Sequence, residues 1–154
     1  MNYKDYRYQI KYDNKTNWVS NWFSNMIDVE IIIDGITYQS TESYYQSQKA
    51  LNENDKLYIA SLSGIDAKRE SKKIEIRSDW DNIKIDVMKK ALKTKFTIPY
   101  WKEKLLSTGN EPIIEWNNWN DKFWGVSIKD NKGQNNLGKL LMEIREEFKY
   151  KSLF

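Results

Sequence analysis

The stretch QSTESYYQSQKAL, residues 39–51, decides how this chain is read. It begins as a helix begins, with Ser40 where an N-cap belongs and Glu42 in the first turn. On a helical wheel Glu42, Tyr45, Gln46 and Lys49 share one face, while Tyr44, Ser47, Gln48 and Leu51 share the other. Neither face is an ordinary apolar stripe. The expectation is a helix whose polar and aromatic face serves a pocket, with Tyr44 and Leu51 making its firm core contacts.

Upstream, DVEIIIDGITYQS (28–40) places two short β-rich runs around Asp34-Gly35, a dipeptide that favours positive φ and a tight hairpin turn. Before it, NWVSNWFSNM (17–26) reads as an aromatic loop rich in Asn and Ser, and YRYQIKY (6–12) as an edge strand. Downstream come helical stretches at 55–62, ended by Ser63-Gly64, and at 65–73. From about Asn82 to Phe96 the residues Ile83, Val87, Met88, Ala91, Leu92 and Phe96 fall at helical spacing, with Pro99 marking the end. A further helix near 100–107 stops at Thr108-Gly109, and PIIEW (112–116) reads as a short strand. WNNWNDKFWG (116–125) fits no regular element and resembles a binding loop. A last helix starts near Leu137 with the stripe Leu137, Leu140, Leu141, Ile144 and Phe148. These elements predict a single α+β domain spanning residues 1–154, mainly α-helical with a small antiparallel β-sheet or hairpin.

Composition narrows the chemistry. The chain has 154 residues, net charge +3 and neither Cys nor His. A chain of this size buries roughly 70% of the surface its unfolded form exposes, so it needs no disulfide or metal staple. Without His or Cys there is no thiol nucleophile, no Ser-His triad and no thiolate or imidazole metal site. Acid–base work falls to carboxylates, Lys or Tyr. No signal peptide and no apolar run near the roughly 20 residues of a spanning helix are visible, so a cytoplasmic location is expected and no membrane association. The small positive charge neither demands nor forbids a nucleic-acid groove. Seven Trp and ten Tyr stand out in a chain with four Arg that is rich in Lys, Asn and Ile.

Each candidate residue also has an ordinary structural explanation. Glu42 complements the helix dipole, worth about 0.3–1 kcal/mol. Lys49 suits a solvated face, Asp121 an Asx turn, and Trp80 and Trp124 the edge of a core. Taken together, two carboxylates among tryptophans suit glycosidic chemistry. A glycosyl bond breaks through an oxocarbenium-like state that a carboxylate stabilises, and flat aromatic walls stack a base.

The order of motifs carries a resemblance. Phe-Ser-Asn (23–25), Ser-Thr-Glu-x-Tyr-Tyr-Gln-x-Gln-Lys (40–49), Trp80 and Val-Met-x-x-Ala-Leu-x-x-Lys-Phe (87–96) are followed by Leu-Leu-Ser-Thr-Gly (105–109) and Glu115. Then come Asp121-x-x-Trp-Gly (121–125), Gly-x-Asn-x-Leu-Gly (133–138) and Leu-Met-x-x-Arg (141–145). The series resembles the NADAR (NAD- and ADP-ribose-associated) family, which includes the YbiA-like proteins, from about residue 20 to 148. The resemblance implies a YbiA-like fold and a metal-independent N-glycosidase without cofactor. It implies two substrates: phosphoribosylamino-pyrimidine intermediates of riboflavin biosynthesis, or ADP-ribosylated guanine in nucleic acid, whose modification it would reverse to counter a toxin. It assigns catalysis to Glu42 and Asp121, and essential tryptophans to Trp80 and Trp124. Phe23, Asn25, Tyr45, Lys49, Gly125 and Asn135 match positions expected to line the substrate pocket. Many members have His directly after the motif glutamate, where this chain has Ser43. At about 100° from Glu42 on the wheel, Ser43 need not touch reacting atoms. The rival expectation is a non-catalytic module that binds ADP-ribose or a related nucleotide, and a plain interaction domain fits the aromatics poorly.

Overall fold

The computed structural model describes residues 8–12, 15–19 and 23–151. In chain order it holds strands β1 (Tyr8–Tyr12), β2 (Lys15–Val19), β3 (Ile31–Ile33) and β4 (Ile36–Tyr38), then helices α1 (Thr41–Ser47), α2 (Glu53–Ala60), α3 (Gly64–Glu70), α4 (Trp80–Thr97) and α5 (Pro99–Leu106). Strands β5 (Ile113–Asn117) and β6 (Val126–Ser127) and helix α6 (Asn136–Lys151) complete it. The fold is α+β and mainly helical. The chain forms two compact units, one from Asn25 to Ile98 and the other from the residues up to Ser24 together with Pro99 onward.

In the Asn25–Ile98 unit, β3 and β4 form the expected hairpin, with Ile31 opposite Tyr38 and Ile33 opposite Ile36. Asp34 and Gly35 turn it at φ +52° and +78°, the left-handed pair that matches the twist of the strands. Ile31 and Ile33 point inward and Ile32 outward, the period of two of a half-buried strand. Asn52 caps α2 by accepting from the Asp55 amide, and Ser63 caps α3 through the Asp66 amide, so each helix starts where a short polar side chain meets an orphan donor. Gly64 therefore opens α3, whereas the sequence suggests Ser63-Gly64 as the stop of the helix before it. In α4, Met88, Ala91, Leu92 and Phe96 are buried, while Ile83 and Val87 lie half-buried at the edge of the stripe.

Helix α1 packs against α2, α3, α4 and β4, and all seven of its residues are buried. Tyr44 packs edge-on against Tyr38 with ring centroids 5.1 Å apart. Leu51 corrects the sequence reading, because it is 60% exposed. The helix ends at Ser47, Gln48 and Lys49 form a turn, and Ala50 then pairs with Ile76 in an isolated bridge. Helical spacing therefore does not reach Leu51.

In the other unit a four-stranded sheet has the order β2-β1-β5-β6. β1 pairs antiparallel with both β2 and β5, and β5 pairs parallel with β6. The strand expected at an edge is thus interior, flanked on both sides, and the expected 17–26 loop gives Asn17–Val19 to β2. Tyr6 and Arg7 lie outside the described residues. Helix α6 lays Leu137, Leu140, Leu141, Ile144 and Phe148 against β5 and α5, as its spacing predicts. Buried Arg145 donates to Thr108 Oγ1 (2.8 Å) and the Glu111 carbonyl (2.7 Å), fixing the turn after α5. No helix among the described residues is long and apolar enough to cross a membrane.

Candidate active site

A buried helix made of polar residues requires partners for each of them. Glu42, 7% exposed, accepts at Oε1 from Gln46 Nε2 at 2.6 Å, one helical turn on. A bond to an ionised acceptor at that length is strong and directional. Gln46 is oriented from its other end, because Ser71 Oγ lies 2.8 Å from Gln46 Oε1 and 3.0 Å from the Lys68 carbonyl. The carboxylate is thereby aimed through two side chains, the second from the short 3₁₀ turn Ser71–Lys73 that follows α3.

Beside it stands an aromatic wall. The Tyr45 and Trp80 rings are 5.1 Å apart and inclined at 56°, and both are nearly buried. Lys49 Nζ lies 5.4 Å from the Tyr45 ring and 5.9 Å from that of Trp80, within cation–π range. Burial pushes the Lys49 ammonium below its usual value and the Glu42 carboxylate pulls it back up. Glu42, Tyr45, Lys49 and Trp80, four of the residues singled out from sequence, thus share one environment. Gln46, which belongs to the same wheel face, and Ser71 complete it. The spacing of four from Glu42 marks Gln46; nothing in the sequence marks Ser71.

Asn25 stands at the start of this helix. Its backbone carbonyl accepts from the Glu42 amide (3.1 Å) and from Thr41 Oγ1 (3.1 Å), and its Oδ1 lies 3.0 Å from the same hydroxyl. Its Nδ2 reaches Met88 Sδ at 3.4 Å. The first of these bonds satisfies one orphan donor of α1, the Glu42 amide, and the set ties the start of the helix to Asn25. Ser43 is fully buried, its Oγ 2.7 Å from the Leu62 carbonyl and 2.9 Å from Ser40 Oγ. It joins α1 to the α2–α3 connection instead of the Glu42 carboxylate.

The remaining candidates belong to the other unit. Phe23 is fully buried. Asp121 Oδ1 accepts from the amides of Phe123 (3.0 Å) and Trp124 (2.9 Å), while Asn117 holds both the amide and the carbonyl of Asp121. This is the Asx-type turn that its loop position suggested. The Trp124 ring lies 4.8 Å from that of Phe123, edge to face. The loop is irregular yet fixed, because the start of α6 bonds to it. The amides of Gln134, Asn135, Asn136 and Leu137 donate to the carbonyls of Lys122, Gly125, Phe123 and Trp124 in turn. The first amides of a helix have no partner of their own, and here the loop supplies them.

Asn135 and Gly125 have clear positional work. Asn135, at φ +53°, accepts at Oδ1 from the Glu115 amide (3.0 Å) and donates from Nδ2 to the Ile113 carbonyl (2.9 Å), fastening α6 to β5. A Cβ on Gly125 would lie 2.5 Å from the Glu115 carbonyl and 3.2 Å from its Oε2. Only glycine lets the loop come that close to β5 and its buried carboxylate.

A separate cavity of about 470 Å³ opens among Gln48, Leu51, Asn52, Lys56, Arg77 and Asp79. None of the candidate site residues lines it. Arg77 is already held in a two-point bond by Asp79, so the cavity offers no free charge of its own there. Among the described residues no group of three or more Asp or Glu is placed to hold a metal ion.

A buried, oriented carboxylate together with an ammonium that lies over two aromatic rings is the equipment of a site for a small, flat, polar ligand. The chain belongs to the NADAR family, whose NADAR domain model matches residues 7–149. It is 37% identical over 130 residues to the N-glycosidase YbiA of Escherichia coli K12, covering 81% of this chain and 79% of that protein. An N-glycosidase of Nostoc punctiforme is 34% identical over 134 residues, 82% and 85% of the two chains. The chloroplastic riboflavin biosynthesis protein PYRR of Arabidopsis thaliana matches 90 residues at 42% identity, 58% of this chain but 14% of that one. Among solved structures, the NMR structure of E. coli YbiA superimposes with a TM-score of 0.77 at 36% identity, covering 85% of this chain and 79% of that one.

Proposed function

We propose that the chain is an N-glycosidase that hydrolyses a ribose C1–N bond. The observation that carries this reading is the buried Glu42 carboxylate, oriented by Gln46 and set beside Lys49 and the Tyr45–Trp80 wall. In the reaction the C1–N bond breaks and its electron pair stays on the nitrogen of the leaving base. Positive charge then develops on the ribose at C1, where an anionic carboxylate stabilises it. Water adds its oxygen to C1, Glu42 takes one of its protons, and that proton passes on to the departing nitrogen, which leaves Glu42 a carboxylate again. The aromatic wall stacks the base and excludes water from the charge pair. This chemistry draws on carboxylates and needs no metal or organic cofactor.

Asp121, Trp124, Gly125, Asn135 and Phe23 enter the proposal on the motif match. On that match Asp121 is the second catalytic carboxylate, and within its own unit its Oδ1 is a fixed acceptor, oriented by two backbone amides. We assign Asn135 and Gly125 to shaping the loop, in line with the bonds of Asn135 to β5 and the close approach of Gly125 to Glu115.

The substrate is either a phosphoribosylamino-pyrimidine or ADP-ribosylated guanine in nucleic acid, and the enzyme works in the cytoplasm. The riboflavin-pathway name of the Arabidopsis relative supports the first. Offering the purified protein both compounds and following release of each base decides between them. Glu42→Gln is expected to abolish turnover while keeping ligand affinity within about tenfold, roughly 1.4 kcal/mol. Turnover retained in that variant overturns the role of Glu42. Calorimetric binding of ADP-ribose without release of any base by the native protein identifies a non-catalytic binding module instead.

A further inference from the structure

The bond from Gln46 aims the Glu42 carboxylate only if the root of that side chain is also fixed, because a flexible side chain follows any movement of its backbone. The connection between α2 and α3 meets this root. Gly64 opens α3, and a Cβ on it would lie 3.2 Å from Glu42 Cβ, 3.1 Å from Ser40 Oγ and 3.2 Å from Met26 Sδ. At such separations the neighbours would have to give by a few tenths of an ångström. Met26 ends in a flexible thioether and can give. Ser40 and Glu42 are held: Ser40 Oγ caps α1 by accepting from the Ser43 amide at 3.1 Å, and the Glu42 amide donates to the Asn25 carbonyl.

Ser43 closes the arrangement. Its amide occupies one lone pair of Ser40 Oγ, whose own proton turns to Ser43 Oγ, 2.9 Å away. Ser43 Oγ in turn donates to the Leu62 carbonyl at 2.7 Å, two residues before Gly64. One consistent set of donors and acceptors thus runs from the cap of α1 to the α2–α3 connection. All of it is drawn from side chains that make no bond to the Glu42 carboxylate.

We propose that Ser43 and Gly64 are positioning residues for Glu42. Ser43 pins the first turn of α1 to the α2–α3 connection, and the missing side chain of Gly64 lets that connection seat against Glu42 Cβ. The task of Glu42 in catalysis rests on the N-glycosidase reading, whereas the seating of its side chain does not. Rate depends steeply on placement, a misplacement of about 1 Å costing about a hundredfold. A movement of a few tenths of an ångström at the root of Glu42 is therefore felt in kcat before KM.

The test compares Gly64→Ala, which adds bulk, with Ser43→Ala, which removes only a hydroxyl, so that loss of folding in one leaves the other to decide. Ile33→Val, a core change in the β3–β4 hairpin, controls for lowered stability alone. Carbon-13 at the glutamate carboxyls, with the Glu42 resonance assigned by its loss in Glu42→Gln, follows the titration of Glu42 directly in the full chain. Both variants are expected to lower kcat by about three- to tenfold with KM within about twofold. The titration midpoint of Glu42 is expected to rise in both as its bond with Gln46 loosens, and Ile33→Val to change neither quantity. An unmoved Glu42 titration in the folded variants overturns the proposal, as does an equal shift in Ile33→Val. Variants that hydrolyse an N-riboside with native kcat and native titration remove the positioning role and leave the glycosidase standing. A shifted Glu42 titration in a protein that hydrolyses no N-riboside does the reverse.

Discussion

Replacing Gln46 by Met tests whether Glu42 works as an oriented carboxylate. Methionine keeps the length and volume of the side chain but removes both the donor to Glu42 Oε1 and the acceptor near Ser71 Oγ. A hydrogen bond to a charged group contributes about 1.5–3 kcal/mol, and Glu42 is too buried for water to replace it freely. If that bond is needed most when charge develops at C1, kcat/KM should fall by about ten- to a hundredfold, with kcat carrying the loss. The acid limb of the rate profile should also move to higher pH, because the variant carboxylate loses a donor that favours its charged form. Ser71→Ala, which leaves Gln46 in place but unrestrained, should lose less, about 0.5–1.5 kcal/mol. The assay is steady-state base release from pH 4 to 9, beside a urea unfolding curve that separates activity from stability. A Gln46→Met enzyme with kcat/KM within about threefold of native and an unmoved acid limb refutes the reasoning.

Other expectations concern stability. Gly125→Ala drives a Cβ to 2.5 Å from the Glu115 carbonyl and should lower stability by about 1–3 kcal/mol in urea; a neutral result means that the loop shifts without cost. Burial pushes the Lys95 ammonium down to about 7 from its ordinary 10.5. Between those values the unfolded chain holds more protons than the folded one, so stability should rise with pH above about 7 and stay flat below it. Lys95→Met should remove the rise and be the more stable protein at neutral pH; a slope identical to native in urea midpoints at pH 7, 8 and 9 contradicts this.

Much of the scaffold was legible because it is local. The Asp34-Gly35 hairpin and the stripes of α4 and α6 each follow from spacing within one segment. What failed depended on distant partners. β1 became interior because β5, about a hundred positions later, lies along it. The total burial of α1 depends on Asn25, Leu62 and Ser71, none of which the helical wheel includes. For the site, Glu42, Tyr45, Lys49 and Trp80 were found through the motif order and then met in one place. Gln46 was seen on the right face without its task, and Ser71 was missed. The 117–125 loop looked formless because its order comes from the amides of α6, which the composition of the loop cannot reveal.

The make-up of α1 has a consequence for the order of assembly. Seven residues are far fewer than the roughly 12–15 that an isolated helix needs to persist in water, and this one has little apolar surface to recruit. It therefore takes shape only once α2, α3 and α4 are there to meet its hydroxyls and amides. Glu42 is aimed last, so its carboxylate reports on the integrity of the surrounding unit. Lesions far from it that loosen the helices should silence the site before the chain has globally unfolded.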